Sequence, residues 1–404
     1  MLKSNTEEIK KRVLYASVVY GDEEKNAVAE SLNNEWLASG PLVKQFEEEV
    51  AKQFGKKYGV AVNSGSSANL LAVASLKLPK GSKVITPGLT FATTVSEIVH
   101  NGLVPVFVDG VIGRYTVDEA QVEAAIDKKT SAIMVPQLIG GVCDMQKLRG
   151  LADKYNLKLI SDECDTFSPK LHGKTVASYA DVTTTSFYGS HIITACGVGG
   201  MLMTDSEEIR DIALTLRDWG RVGNDAEEFK KRFDFQIDGI PYDAKFLYSE
   251  LGYNLKMNEA SAAFGLEQLK KLPVFKQTRK DNFAKYLELL SKHQDKFYLP
   301  ELIAGAETTW LALPLTIKEN AGFTRYDLLE YLEKHGVQTR VLFSGNITRH
   351  PIYKSVKLEI ASDMKNADYI MANGFLLGAH HGMSVNDVEF VCTAIDGFIN
   401  DNKI

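Results

Sequence analysis

Cysteine is scarce in this chain and long apolar runs are missing, and each shortage closes off a class of protein. The four cysteines, Cys143, Cys164, Cys196 and Cys392, lie far apart without a Cys-x-x-Cys pair or a zinc-type spacing, so they read as structural thiols. No stretch of about 18 apolar residues occurs, which argues against a membrane span. No block of five or more Lys/Arg interrupts the chain, and a net charge of −6 offers no broad positive field for nucleic acid. Met1 to Arg12 is polar and charged and lacks the apolar stretch of a signal peptide, so the expected address is the cytoplasm. What is present is 45% apolar content over 404 residues, enough for a sizeable core in one large or two moderate domains. A soluble enzyme is the leading expectation.

Short apolar runs alternate with segments of helical period from Lys57 to Thr204. The strand candidates are Tyr58 to Val62, Lys83 to Thr86, Val104 to Val108, Ala132 to Val135, Leu157 to Ile160, Thr183 to Phe187 and Met201 to Thr204. Such alternation predicts a mainly parallel sheet covered by helices on both faces, with ligands at the carboxyl ends of its strands. A long helical pattern is predicted after Pro273 to about His293, then strands over Trp310 to Ile317 and Val337 to Phe343. A final helix is expected from Val385 to Ile399, opened by Ser384 with Asp387 three residues on. The expected division is a large domain over 1–266 and a smaller α+β domain over 267–404. Asn224 to Tyr248, charged and aromatic, reads as an inserted surface loop.

Chemistry gathers at four places. Asn63-Ser64-Gly65-Ser66-Ser67-Ala68-Asn69 follows a strand and opens a helix expected near Ala68; backbone N–H groups and small residues there suit a phosphate, or equally a tight strand-to-helix turn. In Leu159-Ile160-Ser161-Asp162-Glu163-Cys164-Asp165 an apolar strand runs into an acidic turn. Asp162 is placed either to pair with a protonated pyridine nitrogen or to cap a helix. Phe91 follows a strand at a helix start, where it would stack on a flat ligand or fill the core. His191, in Ser186-Phe187-Tyr188-Gly189-Ser190-His191 ahead of Gly199-Gly200, stands where a cofactor-binding lysine would be expected.

These motifs, with Gly40-Pro41, Phe46-Glu47, Pro105-Val106-Phe107-Val108-Asp109, Gly252-Tyr253-Asn254 and Met257 through Leu269, keep one order from near residue 17 almost to the C-terminus. In that order the chain resembles the DegT/DnrJ/EryC1/StrS sugar aminotransferases. The resemblance implies the fold type I of pyridoxal phosphate (PLP)-dependent transferases, aspartate aminotransferase-like, and a homodimer with a shared active site. It assigns the cofactor phosphate to Gly65, Ser66, Ser67, Ser186 and, from a partner subunit, Asn254. Asp162 would hold the pyridine nitrogen and Phe91 would stack on the ring.

Within that family the chain resembles the lysine-to-histidine subgroup, the 4-keto-6-deoxyhexose 3-dehydratases acting on CDP- or GDP-sugars. The residues that carry this are His191, Phe187-Tyr188, Asp165 and Leu342-Phe343-Ser344-Gly345-Asn346. An imidazole cannot form the internal Schiff base of an aminotransferase, but it moves protons near neutral pH. The resemblance therefore implies pyridoxamine phosphate (PMP) or PLP held without a covalent bond, and removal of the sugar C3 hydroxyl in deoxysugar synthesis for surface glycans or antibiotics. His191 would be acid and base, with Asp165 and Tyr188 tuning the phenolic oxygen and orienting it. Glutamate would restore the amine.

One dehydratase branch carries an iron–sulfur cluster served by a reductase partner. Cys164 matches one of its positions, but the loop after Trp219-Gly220-Arg221 has no cysteine, so no cluster is expected. Gly197-Val198-Gly199-Gly200 lacks the acidic residue usual before the glycine pair, and Pro136-Gln137-Leu138-Ile139-Gly140-Gly141 lacks the usual histidine. Two other readings stand beside the dehydratase. One is an aminotransferase using another lysine, such as Lys170 or Lys174, and the other is an inactive sugar-nucleotide-binding partner subunit.

Overall fold

The computed structural model describes residues 12–34, 36–222 and 228–401. Most of the charged leader Met1 to Arg12, and the insert's Asn224, lie outside the described residues. The large sheet is formed by β1 (Tyr58–Val62), β2 (Lys83–Pro87), β3 (Val104–Val108), β4 (Thr130–Pro136), β5 (Lys158–Asp162), β6 (Val182–Ser186) and β7 (Gly200–Thr204). They lie in the order β1-β7-β6-β5-β4-β2-β3, with a two-residue edge strand, Glu359–Ile360, beside β3. The pairs from β6 to β3 are parallel, and β7 runs antiparallel to both β6 and β1. Interior strands such as β3 and β6 are buried at every position, which is why the sequence shows them as unbroken apolar or β-branched runs.

Helices cover both faces of this sheet. They include α1 (Asp22–Asn33) and α2 (Pro41–Phe54), and α3 (Gly65–Ser75) and α4 (Ala92–His100), which carry site residues. Helix α3 starts at Gly65 rather than near Ala68, because the Ser64 side chain accepts from the Ser67 N–H and caps it. At the start of α2 the Glu259 carboxylate accepts from the N–H groups of Gly40, Leu42 and Val43 at 2.8–3.0 Å.

Glu259 opens α5 (Glu259–Leu290), 32 residues long, and here the structure departs from the pattern read in the sequence. The helix starts fourteen residues before Pro273 and runs through it. A mid-helix proline costs about 3 kcal/mol relative to alanine. Burial of Phe264, Gln268, Leu272, Phe275, Arg279, Phe283 and Tyr286 offsets that cost, and Pro273 itself is on the exposed side. Gly265 lets α5 meet α2: a Cβ there would come within 2.7 Å of the Phe46 ring. The expected boundary at 266/267 falls inside this helix.

Beyond α5 a four-stranded antiparallel sheet, β8 (Phe297–Tyr298), β9 (Ala312–Ile317), β10 (Thr339–Val341) and β11 (Gly374–Gly378), has the order β8-β9-β11-β10. The closing helix α6 (Val385–Asp401) opens where expected, with Ser384 and Asp387 capping each other reciprocally. The insert is more ordered than a plain loop. From residue 228 on it forms a short helix, Phe229–Phe233, and a hairpin of Gln236–Ile237 with Ile240–Pro241, tied by the Arg232–Asp243 ion pair. Among the described residues no helix is long and apolar enough to cross a membrane.

Candidate active site

A cavity of about 390 Å³ opens at the carboxyl ends of β1, β2, β4, β5 and β6, within the range of small-molecule sites. It is lined by Gly65, Ser66, Phe91, Asp162, Asp165, Ser186, Tyr188 and His191 of the expected set.

Asp162 ends β5 at the cavity floor and is 5% exposed. Its Oδ2 accepts from Asn69 Nδ2 and from Thr94 Oγ1, both at 2.8 Å, and its Oδ1 accepts from the Cys164 N–H at 3.1 Å. Asn69 is itself fixed, accepting from Thr184 Oγ1 at 2.6 Å. The carboxylate is therefore oriented by side chains from α3 and α4 and by its own turn. It does not cap a helix.

His191 is half-buried in the cavity wall, its Nδ1 2.5 Å from the Cys164 carbonyl. A carbonyl only accepts, so Nδ1 carries the proton and Nε2 of the neutral ring keeps its lone pair. Burial pulls the imidazole down to about 4, the bond to Cys164 opposes this, and the nearby Arg279 guanidinium adds to the depression. Tyr188, 60% exposed, meets the His191 ring edge-on at 6.0 Å.

Asp165 lines the same wall. Burial raises its carboxyl to about 7, against the pull of a hydrogen bond from the Ile139 N–H at 2.9 Å and with a further push from Asp162. That N–H is presented by a strained turn: Ile139 has φ 57°, and Gly140 packs so close that a Cβ would lie 2.7 Å from Trp310 Cα. Glu163, fully buried behind the cavity, is raised to about 8 by burial. Ser161 Oγ donates to its Oε1, while Oε2 has no partner.

At the start of α3, Gly65 and Ser66 line the cavity where first-turn N–H groups lack intrahelical acceptors. A Cβ on Gly65 would lie 2.7 Å from Ser186 Cβ and 2.9 Å from Cys164 Sγ, so only glycine lets this turn close on β6. A Cβ on Gly200 would overlap the Ser64 carbonyl, and Gly199 has φ 117°, so each position of the pair calls for glycine. Phe91 is 48% exposed beside the cavity and packs edge-on against Phe343 at 5.5 Å, so it is not a core residue.

Ser67 and Asn254 do not line this cavity. Ser67 Oγ donates to Asn63 Oδ1 at 2.6 Å, and Asn254 pairs with Asp218 through the backbone. Lys170 and Lys174 sit exposed on a small three-stranded sheet, and among the described residues no lysine or arginine lines the cavity. The cysteines take separate places: Cys143 and Cys392 are buried, Cys164 is in the cavity wall and Cys196 is exposed. Sequence reasoning missed Tyr15, Asn69, Thr94 and Leu311, all of which line the cavity. Asn69 was detectable as a polar residue among the buried Ala68, Leu71 and Ala72 of α3. Tyr15 had no local signal. The Val13–Val337 bridge and a bond from the Tyr15 N–H to Gln338 bring it in, and burial with nearby Asp165 pushes its phenol well above the usual range.

A mainly parallel sheet with a carboxylate at the floor and a helix start beside it defines the class: the chain has the fold type I of PLP-dependent transferases. The chain belongs to the DegT/DnrJ/EryC1/StrS aminotransferase family, whose model matches residues 19–396. It is 36% identical over 399 residues to the lipopolysaccharide biosynthesis protein RfbH of Salmonella typhimurium, covering 95% of this chain and 91% of that protein. It is also 36% identical over 401 residues to the dTDP-4-dehydro-2,6-dideoxy-D-glucose 3-dehydratase of Saccharopolyspora spinosa, covering 95% and 86%. The E. coli GDP-4-keto-6-deoxy-D-mannose-3-dehydratase with bound hydrated PLP superposes with a TM-score of 0.87 at 29% identity, over 95% of this chain and 99% of that one. A GDP-4-keto-6-deoxymannose-3-dehydratase with a trapped PLP-glutamate geminal diamine gives 0.87 at 27% identity with the same coverage.

Proposed function

We propose that this chain is a hydro-lyase removing the C3 hydroxyl of a nucleotide-linked 4-keto-6-deoxyhexose, with PMP/PLP as coenzyme and His191 as acid and base. The observation that carries the reading is the His191 ring: it lines the cavity with Nδ1 committed to Cys164, and among the described residues no lysine lines that cavity. The coenzyme fits the residues present. Gly65 and Ser66 at the start of α3 and Ser186 at the end of β6 line the cavity together, and Asp162 lines it at the end of β5.

Bound there, the coenzyme would supply an amine for the sugar C4 ketone and an electron-accepting ring. Asp162 would hold the pyridine nitrogen, Gly65, Ser66 and Ser186 would take the phosphate, and Phe91 would stack on the ring. His191 Nε2 takes and returns the proton beside the ring, with Nδ1–H anchored on Cys164. Asp165 and Tyr188 bear on the phenolic oxygen and on the imidazole's orientation. Glutamate, rather than a reductase, would restore the amine, in keeping with the PLP-glutamate adduct of the structural relative.

A homodimer with a shared active site is the assembly that the family resemblance implies. The cavity has two acidic side chains and no lysine or arginine among the described residues, yet it must take a phosphate and a nucleotide diphosphate. A second copy would bring Asn254 to the phosphate. Between CDP and GDP the assay decides, and dTDP joins them because of the Saccharopolyspora relative.

The test is incubation with pyridoxamine phosphate, glutamate and each nucleotide 4-keto-6-deoxyhexose separately, with mass analysis for loss of water. One nucleotide should support dehydration, and His191→Lys should abolish it. Dehydration retained in that variant would remove His191 from the role.

A further inference from the structure

We propose that Arg279 is a positioning residue for His191, tethering the loop that carries the imidazole and keeping a fixed positive charge beside it. The inference rests on His191 being the acid and base of the proposed dehydration. Arg279, on α5, is 1% exposed and outside the cavity lining. Its Nη2 donates to the His191 carbonyl at 3.3 Å, and its Nη1 donates to the Trp310 and Leu311 carbonyls at 3.3 and 2.9 Å. Its Nε donates to His381 Nδ1 at 3.0 Å, and the His381 ring is stacked on Phe275 at 3.9 Å. One guanidinium thus joins the His191 loop, the lead-in to β9 and the turn before α6.

The charge on this side chain is uncompensated. Among the described residues no carboxylate pairs with Arg279, and every group it bonds is neutral. Burying an unpaired cation is costly unless its donors are all used, and a guanidinium uses them in a rigid fork that an ammonium cannot copy. A structural brace could have been an uncharged amide.

What a cation adds is repulsion of a second proton from the neighbouring imidazole. The charged and titratable groups around that ring are Asp162, Asp165 and Cys164 from the end of β5, Tyr188 from its own loop, Tyr15 from the N-terminal segment and Arg279. Arg279 in turn faces Tyr15, His380 and His381. Burial is the larger cause of the low His191 proton affinity, with Arg279 acting in the same direction. A neutral imidazole with its proton pinned on Nδ1 keeps Nε2 available as a base.

The test follows the histidine side chains of the full-length protein by ¹H–¹⁵N NMR across pH, with the His191 signal assigned by its loss in His191→Gln. In Arg279→Met the His191 midpoint should rise by about one pH unit, the scale of one nearby like charge removed. In Arg279→Lys the charge stays and the fork is lost: the midpoint should stay low while kcat falls about tenfold with KM unchanged, as expected for a misplaced catalytic group. An unmoved midpoint in the methionine variant, or parental kcat in the lysine variant, overturns the proposal. If the methionine variant does not fold, the kcat of the lysine variant decides alone. Undiminished dehydration by His191→Gln would defeat the functional reading while leaving the NMR result standing.

Discussion

The floor around Asp162 and the flank formed by Asp165 and His191 line one cavity yet are built to opposite ends. At the floor the carboxylate accepts from Asn69, Thr94 and Cys164, a set that fixes it as an anion acceptor. On the flank Asp165 accepts from the Ile139 N–H, and His191 has one committed nitrogen. Asp165 is raised to about 7 and His191 lowered to about 4, so both are held neutral more readily than usual. One side of the cavity is made to hold a charge still, the other to let a proton move.

The comparison breaks most readily at the floor. Asp162→Asn should cut dehydration by roughly 10²–10³, as removing a preorganised electrostatic partner does, and should weaken coenzyme binding measured by absorbance titration. Parental activity in that variant would show the floor to be scaffolding only.

Glu163 and Asp165 sharpen the contrast through pH. Glu163 is held at about 8 in the fold against an ordinary 4.5, so between those values the folded chain keeps a proton that the unfolded chain has lost. Stability then falls as pH rises through that window and levels off above it. Glu163→Gln should remove this slope, raising Tm by a few degrees at pH 8.5, on the order of 2 °C per kcal/mol for a chain of this size, with little change at pH 5. An equal effect at both pH values would refute the buried proton.

Asp165→Asn should act in the same direction over a narrower window, from 3.8 to about 7, and should also flatten any limb near pH 7 in the dehydration profile. If the limb survives, another group titrates it. The smallest effect belongs to Phe91, at the cavity mouth: Phe91→Ala should weaken coenzyme binding about threefold to tenfold, matching a stacking contribution of roughly 0.5–1.5 kcal/mol. A Kd unchanged in that variant would leave the ring with no stacking role.

How far this could be seen in the residues alone differs along the chain. The strands of the large sheet were legible to within a residue or two because its interior strands are buried at every position, whereas β8 and β11 of the small sheet went unread. The start of α5 was not, because Pro273 is a strong local stop signal that long-range burial of Phe264, Phe275 and Phe283 overrides. The insert concealed its hairpin, since two-residue strands carry no period. The boundary placed at 266/267 meets the same difficulty: α5 spans it without a break.

By itself the sequence determined the order of the motifs, the histidine in the lysine's place and the carboxylate at the end of β5, because each is a matter of residue type against a local pattern. Only the tertiary structure decided which atoms of those residues are free. That Asp162 Oδ2 is held by Asn69 and Thr94, that His191 donates from Nδ1, and that Tyr15 and Arg279 stand near them follow from contacts across 27 to more than 300 positions of chain. Proton affinity and hydrogen-bond direction depend on enclosure and on neighbours brought in from other elements, and no local pattern carries that information.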